Sequence, residues 1–212
     1  MKVKKIGHCC FVAEPKEGVR IMTDPGDFTK GAEREENITA ILITHEHGDH
    51  LHIETLKKVL ESSPKALVIT NTAVGKLLDQ AGITHQVVEK GQEKEISGVA
   101  ICSFGNLHAE IYESMGRVQN TGYMIDSLCY PGDAFEDPGH PVEILALPVA
   151  GPWMRMKDAL LYAQALKPRI SFPVHDAFIQ EWASFIWKWP GNVLPPLGIE
   201  FKKLELGKEE DL

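Results

Sequence analysis

Short apolar runs separated by turn residues predict β-strands at the start of the chain. Residues 3–6, 9–14 and 19–23 are three such runs, and the segment 15–18, with its proline and glycine, has the composition of a hairpin turn. A further apolar run at residues 40–43 ends abruptly in polar residues. The N-terminal part is therefore predicted to form strands before any helix.

The spacing of the apolar positions changes after residue 52. Residues 53–62 carry apolar side chains three and four positions apart, which is the pattern of one helix face. Residues 66–70 form another short apolar run, and Asn71 can cap a second helix that Gly82 would end. This alternation of strands and helices is typical of the α/β class.

The rest of the chain contains both patterns again. Apolar side chains between Met156 and Ala163 share a helix face, and an aromatic-rich segment at residues 178–189 is predicted as a closing helix that mostly packs on the core. Residues 208–212 are predicted as a polar tail. Further strands are predicted at residues 99–104, 119–125 and 170–175.

Composition favours one globular domain. A chain of 212 residues with 43% hydrophobic and 25% charged residues can form a full core, so we predict a single domain over residues 1–212. There is no apolar run of about eighteen residues, the length that predicts a membrane span, and the apolar run near the N-terminus is too short for a signal peptide. Because the four cysteines are also predicted to be reduced, we expect a cytoplasmic protein with no membrane partner.

The charge balance bears on the partner. The chain has 22 basic and 30 acidic residues, a net charge of −8, and no basic cluster of the kind that binds polynucleotides. We therefore expect a small-molecule substrate and no nucleic acid. The sequence leaves the oligomeric state open, including a homo-oligomer.

Candidate chemistry is concentrated directly after the apolar run at residues 40–43. His45, His47, Asp49 and His50 follow within a few positions. Imidazoles and a carboxylate this close together are costly to bury unless a cation pairs with them, and they are ligands that zinc prefers. The pattern therefore predicts a metal site at the end of a strand.

This His-x-His-x-Asp-His run resembles the signature of the metallo-β-lactamase superfamily. The resemblance implies an α/β fold, a four-layer αββα sandwich, with a one- or two-metal site at one edge that is used mostly for hydrolysis. It also implies three later ligands, each on its own loop. His108, Asp133 and His175 stand at such positions in this chain, each after a predicted strand or turn.

Two N-terminal segments resemble a subgroup that includes ascorbate-6-phosphate lactonase and the N-acyl-phosphatidylethanolamine phospholipase. They are the Gly-His-x-x-Phe run that contains His8 and the apolar strand that ends in Asp24 and Pro25. The resemblance implies that His8 and Asp24 lie close to the metals, and that Asp24 orients a ligand imidazole. His8 is also the candidate general acid for the leaving group.

The resemblance implies a cofactor of two divalent metal ions. Their seven ligands would be His45, His47 and His108 on one ion, Asp49, His50 and His175 on the other, and Asp133 between them. Two such ions lower the pKa of a shared water, which yields a hydroxide nucleophile that Asp49 could hold in line. Zinc suits these ligands best, and manganese and iron stay open.

A loop that contains Gly151 and Pro152 is similar to a loop that lines the substrate side of the active site in the subgroup. Trp153 and Met154 are therefore candidate pocket residues, with simple core packing as the alternative. Arg155 is a candidate anchor for a carboxylate or phosphate, with a solvated side chain as the alternative.

These features predict a metal-dependent hydrolase that acts on a small ester, lactone or phosphodiester. One alternative is a nucleic-acid phosphodiesterase of the same superfamily, which the net charge argues against. Another is a metal-binding module without turnover, which the complete ligand set argues against.

Overall fold

Two stacked β-sheets with helices on their outer faces form the architecture of the chain. The computed structural model describes residues 1–212, except for the side chain of Glu181. In these residues the strands are β1 (Lys2–Gly7), β2 (Cys10–Lys16), β3 (Val19–Thr23), β4 (Ala40–Leu42), β5 (Leu67–Thr70), β6 (Gln86–Val87), β7 (Glu93–Ile96), β8 (Val99–Phe104), β9 (Gly122–Ile125), β10 (Leu128–Tyr130), β11 (Ile144–Pro148), β12 (Ile170–Val174), β13 (Glu200–Phe201) and β14 (Glu209–Asp211). The α-helices are α1 (Ile53–Ser62), α2 (Thr72–Gln80), α3 (Met156–Leu166) and α4 (Phe185–Val193).

Both sheets are mixed. In the part of the chain that the structure describes, the first sheet has the order β14-β1-β2-β3-β4-β5-β6 and the second β13-β12-β11-β10-β9-β8-β7. The strands from β3 to β6 run parallel, as do those from β10 to β13, while the remaining neighbours are antiparallel. Each sheet therefore has a parallel half, and parallel strands present their carboxyl ends at one common edge.

The core lies between the sheets and continues on both outer faces. Phe11 of the first sheet packs edge to face on Phe172 of the second, with ring centroids 5.3 Å apart. Full burial of such a side chain contributes about 1.5–3 kcal/mol. Helices α1 and α2 bury their apolar faces on the first sheet, and α3 and α4 pack on the second. The arrangement is a four-layer αββα sandwich, which confirms the predicted fold class.

The predicted helix boundaries near the N-terminus agree with the structure. Helix α1 spans Ile53–Ser62, as predicted. The side chain of Asn71 accepts a hydrogen bond from the backbone nitrogen of Val74 at 3.1 Å and so caps α2, and Gly82 follows that helix with a φ of 68°. None of the described helices has the length and apolar composition needed to cross a membrane.

The predicted closing helix at residues 178–189 is wrong in extent and in packing. Helix α4 begins only at Phe185, after a short 3-10 segment. Trp182 is 82% exposed, Phe185 54% and Trp189 56%. Because Phe185 and Trp189 are four positions apart, they share a helix face, and that face lies in solvent while Trp187 packs towards the core.

The predicted polar tail at residues 208–212 is also wrong. Residues Glu209–Asp211 form β14 at the edge of the first sheet, paired antiparallel with β1. The ammonium of Lys2 lies 3.0 Å from the carboxylate of Glu209. Opposite charges across a strand pair favour the pairing even in a segment that has no apolar face.

A buried lysine joins the two sheets. Lys5 of β1 is 2% exposed, donates a hydrogen bond to the carbonyl oxygen of Pro173 in β12 at 2.7 Å, and pairs with the carboxylate of Asp176. Burial lowers the pKa of Lys5, and the charge of Asp176 acts against this shift. The ion pair therefore keeps a charged group stable between the layers.

We predict that Asp176→Ala destabilises the protein more than removal of both charges. The single variant leaves a buried ammonium without its partner, which costs about 3–5 kcal/mol of unfolding free energy. Lys5→Met/Asp176→Ala should recover most of that loss, because methionine fills similar space without charge. Denaturant unfolding of the three proteins in the same buffer measures this difference, and equal unfolding free energies for the two variants would contradict it.

Candidate metal centre

The predicted ligands come together at one edge of the sandwich, where strands of both sheets end. Two backbone hydrogen bonds join the sheets there, from the nitrogen of Thr121 to the oxygen of Thr44 at 2.9 Å and from the nitrogen of His175 to the oxygen of His8 at 3.2 Å. The side chains gathered at this edge come from four segments: His45, His47, Asp49 and His50 after β4, His108 after β8, Asp133 after β10 and His175 after β12.

Asp133 lies at the centre of this group. Its Oδ1 is 3.3 Å from Nε2 of His50. Its Oδ2 is 3.3 Å from Nε2 of His108, 2.9 Å from Nε2 of His175 and 3.9 Å from Nε2 of His45. The carboxylate thus has ring nitrogens beside both oxygens, and its role as a bridge between two cations stays a prediction.

The other predicted ligands lie around Asp133. His45, His47 and His108 each bring a ring nitrogen within 4.8 Å of the others. Opposite them, Oδ2 of Asp49 lies 3.8 Å from Nε2 of His50 and 3.6 Å from Nε2 of His175. His45 also lies close to His50 and Asp133, so the donors form one continuous group. The division into two sets with one ion in each stays a prediction.

Hydrogen bonds on the far side of three rings leave the inner nitrogens free. Nδ1 of His50 is 2.7 Å from Oδ2 of Asp24, and Nδ1 of His45 is 3.0 Å from the hydroxyl oxygen of Thr44. Nδ1 of His108 is 2.5 Å from the carbonyl oxygen of the next residue. Because each Nδ1 donates its hydrogen to an oxygen, Nε2 is the atom that each ring directs towards a cation. Burial acts to lower the pKa of His50, but the charge of Asp133 raises it well above its ordinary value, so this ring would release the hydrogen on Nε2 when a cation binds.

The same inner atoms have no other partner. Among the described side chains, Nε2 of His45, His50, His108 and His175 and Oδ1 of Asp133 are buried without a hydrogen bond. An unsatisfied buried polar group costs about 1–3 kcal/mol. Neutral imidazoles and carboxylates are ligands of zinc and also of manganese and iron, so these residues fit divalent cations.

The charge states suit the same role. Burial acts to raise the pKa of Asp133, but the charges of His50 and His175 hold it well below its usual range. Burial acts to raise the pKa of Asp49 as well, yet the hydrogen bond from His8 and the charge of His50 lower it to about 2. Burial also holds the pKa of His45 well below its ordinary value. The centre therefore offers carboxylates and a neutral ring near neutral pH.

Asp24 supports the centre from the end of β3. It is fully buried, and its Oδ1 accepts a hydrogen bond from the backbone nitrogen of Thr44 at 2.8 Å. Its Oδ2 accepts from the hydroxyl of Thr44 at 2.6 Å, from Nδ1 of His50 and from the hydroxyl of Tyr130. The structure thus places Asp24 where the sequence predicted a carboxylate that orients a ligand imidazole.

His8 contacts Asp49. Its Nε2 lies 3.2 Å from Oδ2 of Asp49, and the backbone nitrogen of Ala177 donates a hydrogen bond to Nδ1 at 3.1 Å. Because Nδ1 is an acceptor, the hydrogen of the neutral ring is on Nε2, where it is donated to Asp49. Burial lowers the pKa of His8, which favours that form. A general acid would need a second hydrogen on Nδ1, so this geometry favours a positioning role over the predicted proton transfer.

Two glycines allow the ligand loops to approach closely. A Cβ at Gly26 would lie 1.9 Å from the backbone oxygen of Asp49. Gly132 has a φ of 63°, and a Cβ there would lie 2.4 Å from Oδ1 of Asn120. That same oxygen accepts a hydrogen bond from the backbone nitrogen of Asp133 at 3.0 Å. The sharp turn predicted before Asp133 is therefore present, and Asn120 holds it.

Three residues of the centre have strained backbone. Among the seven described non-glycine residues with a positive φ, His8 (20°), Asp24 (30°) and His175 (57°) lie at the centre, and the other four lie elsewhere in the chain. Each such residue costs of the order of 1–3 kcal/mol and persists only where its surroundings hold it. Here the hydrogen bonds that His8, Asp24 and His175 make keep their backbone in this conformation.

The three predicted substrate-side residues differ in position. Trp153 is 8% exposed, and its ring lies beside those of His108 and His175, at centroid distances of 5.9 and 5.8 Å. Met154 packs against the core of the second sheet, which is the alternative considered for it. The exposed Arg155 binds both carboxylate oxygens of Asp158 at 3.0 Å, an arrangement that anchors the start of α3. Its predicted role as a substrate anchor gains no support from these contacts.

Several residues of the centre were missed in the sequence. Cys9, one of the four cysteines predicted to be reduced, is 1% exposed and brings its sulfur within 4.8 Å of ring nitrogens of His8, His50 and His175. Thr44 and Tyr130 were not singled out. Their positions in the sequence could have indicated two of them, because Thr44 directly precedes a predicted ligand and Cys9 directly follows His8.

Comparison with known proteins agrees with this geometry. Residues 2–175 match the family model described as the β-lactamase superfamily domain. The chain is 34% identical over 185 residues to the protein Rv0786c of Mycobacterium tuberculosis, which covers 84% of this chain and 85% of that one. It is 27% identical over 230 residues to a metal-dependent hydrolase of Thermococcus onnurineus, covering 99% of this chain and 94% of the relative. The solved structure of Igni18, a metallo hydrolase of Ignicoccus hospitalis, matches with a TM-score of 0.75. The match covers 99% of this chain and 97% of that chain at 20% sequence identity. This likeness concerns the fold.

We predict that Asp24→Asn weakens metal binding by about 10–100-fold, the usual cost of losing a residue that orients a ligand. The amide can accept one hydrogen bond but lacks the charge that holds His50. Competition with a chromophoric chelator measures the affinity. Asp126→Asn, at an exposed turn position with a φ of 55°, is the matched control and should bind as the wild type does. Equal affinity for the two variants would show that Asp24 does not support the centre.

Proposed function

This chain belongs to the β-lactamase superfamily, and from that premise we propose that it is a metal-dependent hydrolase that cleaves a small ester, lactone or phosphodiester with the help of two divalent cations. The observation that carries the proposal is the convergence of buried, unpartnered Nε2 atoms on the carboxylate of Asp133. Such an arrangement is costly without cations and is satisfied by them.

The cations would be held in two sets that share Asp133: His45, His47 and His108 on one side, and Asp49, His50 and His175 on the other. When bound, they would polarise a carbonyl or phosphoryl oxygen and activate water as a nucleophile near neutral pH. Zinc is the best match to imidazole and carboxylate ligands, with manganese and iron as the other candidates.

The protein's own residues supply orientation. Nε2–H of His8 donates to Asp49 and holds that carboxylate towards the second set of ligands. The indole of Trp153 covers the space beside His108 and His175 and limits the access of bulk water to them. Exclusion of water strengthens the electrostatic interactions inside a site.

A cavity of about 660 Å³ supports a small-molecule substrate, because this volume is within the range of ligand pockets. None of the seven predicted ligands lines it, and its link to the centre is His8, which lines the cavity and contacts Asp49. Its lining combines cationic side chains with apolar ones, Lys4, Lys30, Arg34 and Lys203 with Phe28 and Trp187. It also contains two carboxylates, Glu35, which pairs with Lys4 at 2.7 Å, and Asp176, which pairs with Lys5. The cations left for a substrate are Lys30, Arg34 and Lys203. Such a lining favours a substrate that has an apolar body and an anionic group, and it offers an alternative to Arg155 as the anchor.

The net charge of the chain argues against a polynucleotide as the substrate. A net charge of −8 opposes the approach of a polyanion, whereas a single anionic group needs only the local cations of the cavity. A binding module without turnover would need Asp49 as a ligand but would not need His8 to orient it.

Metal content and hydrolysis, measured on the same sample, test the proposal. Elemental analysis should give two divalent ions per chain, and a screen of esters, lactones and phosphodiesters should show turnover that a chelator abolishes and added metal restores. Asp133→Asn should lose metal and more than about a hundredfold of turnover, since loss of a residue that merely supports a ligand costs about 10–100-fold in affinity. Two tightly bound ions and wild-type rates in this variant would show that Asp133 is not the bridge.

The role of His8 can be tested with a pair of variants. His8→Gln keeps an N–H donor for Asp49 but cannot act as an acid, whereas His8→Ala removes the donor. We expect His8→Gln to retain most of kcat and His8→Ala to lose about 10–100-fold, because a hydrogen bond to a charged group contributes about 1.5–3 kcal/mol. KM and the pH profile of kcat should change little in the glutamine variant. Equal losses in both variants, with an altered pH profile, would instead support proton transfer by His8.

A further inference from the structure

A second group of metal-binding side chains lies away from the centre, at the outer edge of the second sheet. Glu93 of β7 and Cys102 of β8 are directly paired across the antiparallel ladder, so their side chains lie on one face of the sheet. His140 reaches them from the loop between β10 and β11. One donor atom of each residue lies within 4.8 Å of the others.

The surroundings of these three residues leave space for an ion. They line a cavity of about 240 Å³ together with Asp137, whose carboxylate accepts a hydrogen bond from the backbone nitrogen of Gly139. The nearby ammonium of Lys90 is directed to Glu136, at 3.5 Å. The cavity therefore contains a thiol, an imidazole and carboxylates, and its one lysine is paired outside this set of donors.

We propose that Glu93, Cys102 and His140 form a separate binding site for a divalent cation, for which zinc is the best match. Thiolate, imidazole and carboxylate are all zinc ligands, and structural zinc sites combine cysteine with histidine. The hard cations calcium and magnesium favour oxygen ligands and would use only Glu93 and Asp137 here. Water or Asp137 completes the coordination.

Such an ion would fix the loop that follows Asp133. In this loop Phe135 packs on Trp153, at a centroid distance of 5.2 Å, and the carbonyl oxygen of Glu136 accepts a hydrogen bond from Tyr162 at 2.8 Å. Binding at His140 would attach the far end of the loop to β7 and β8. With Asp137 as the fourth ligand the site would be a closed, structural one. It would then hold the loop that packs on Trp153 in place, whether or not the metal centre performs hydrolysis.

Cobalt(II) spectroscopy tests the proposal on full-length protein whose main centre is already loaded with zinc. Added cobalt should produce a thiolate-to-cobalt charge-transfer band in the near ultraviolet. Cys102→Ser should lack the band and bind one ion fewer per chain, while His140→Ala should bind cobalt at least about tenfold more weakly. His52→Ala changes an exposed histidine at the start of α1 and should leave the band unchanged.

Cys9 provides the decisive comparison, because its sulfur is near the main centre. A band that survives in Cys102→Ser and disappears in Cys9→Ser would overturn the proposal, and so would the absence of any band in the wild type. A thermal shift gives an independent measurement, since zinc added to the loaded protein should raise the Tm of the wild type but not that of Cys102→Ser. Equal shifts in both proteins would also overturn it.

Discussion

The buried carboxylate of Asp24 is the interaction on which the arrangement of the metal centre depends. It accepts hydrogen bonds from Thr44 after β4 and from Tyr130 in β10, so one side chain joins both sheets at the edge where the ligands gather. It also accepts the hydrogen of His50, which decides which nitrogen of that ring is free. A single buried carboxylate therefore links the two sheets at this edge, orients a ligand and fixes which ring nitrogen of that ligand carries the hydrogen.

Much of this arrangement could be predicted because strand ends carry their own signals. An apolar run that stops at a histidine or aspartate places that side chain at an edge of a sheet, and parallel strands bring such edges together. The histidines after β4 were predicted in this way, whereas Asp133 and His175 were predicted through the family resemblance and only then placed at strand ends. The supporting contact of Asp24 could be anticipated only through the family resemblance, because spacing alone does not show that a residue after β3 meets a ring after β4.

The remaining features depend on contacts between distant segments. The residues around Trp189 are apolar enough to predict burial, yet their burial depends on which helix face the second sheet leaves free. Residues 209–211 have no apolar pattern, and their pairing with β1 is favoured by charges at the other end of the chain, such as the ion pair of Glu209 with Lys2. The contact of Ala177 with His8, which determines the tautomer of His8, is likewise invisible in either segment alone.

The positive φ angles of His8, Asp24 and His175 mean that the chain is not optimised for stability alone. At these positions a glycine or asparagine would relax the backbone, and selection for thermal stability in the absence of a metal requirement would favour such replacements. Each replacement would also remove a group on which the centre relies. Heat resistance and metal chemistry are therefore in direct competition at three backbone positions, and a more stable form of this fold that keeps its ligands must gain its stability elsewhere.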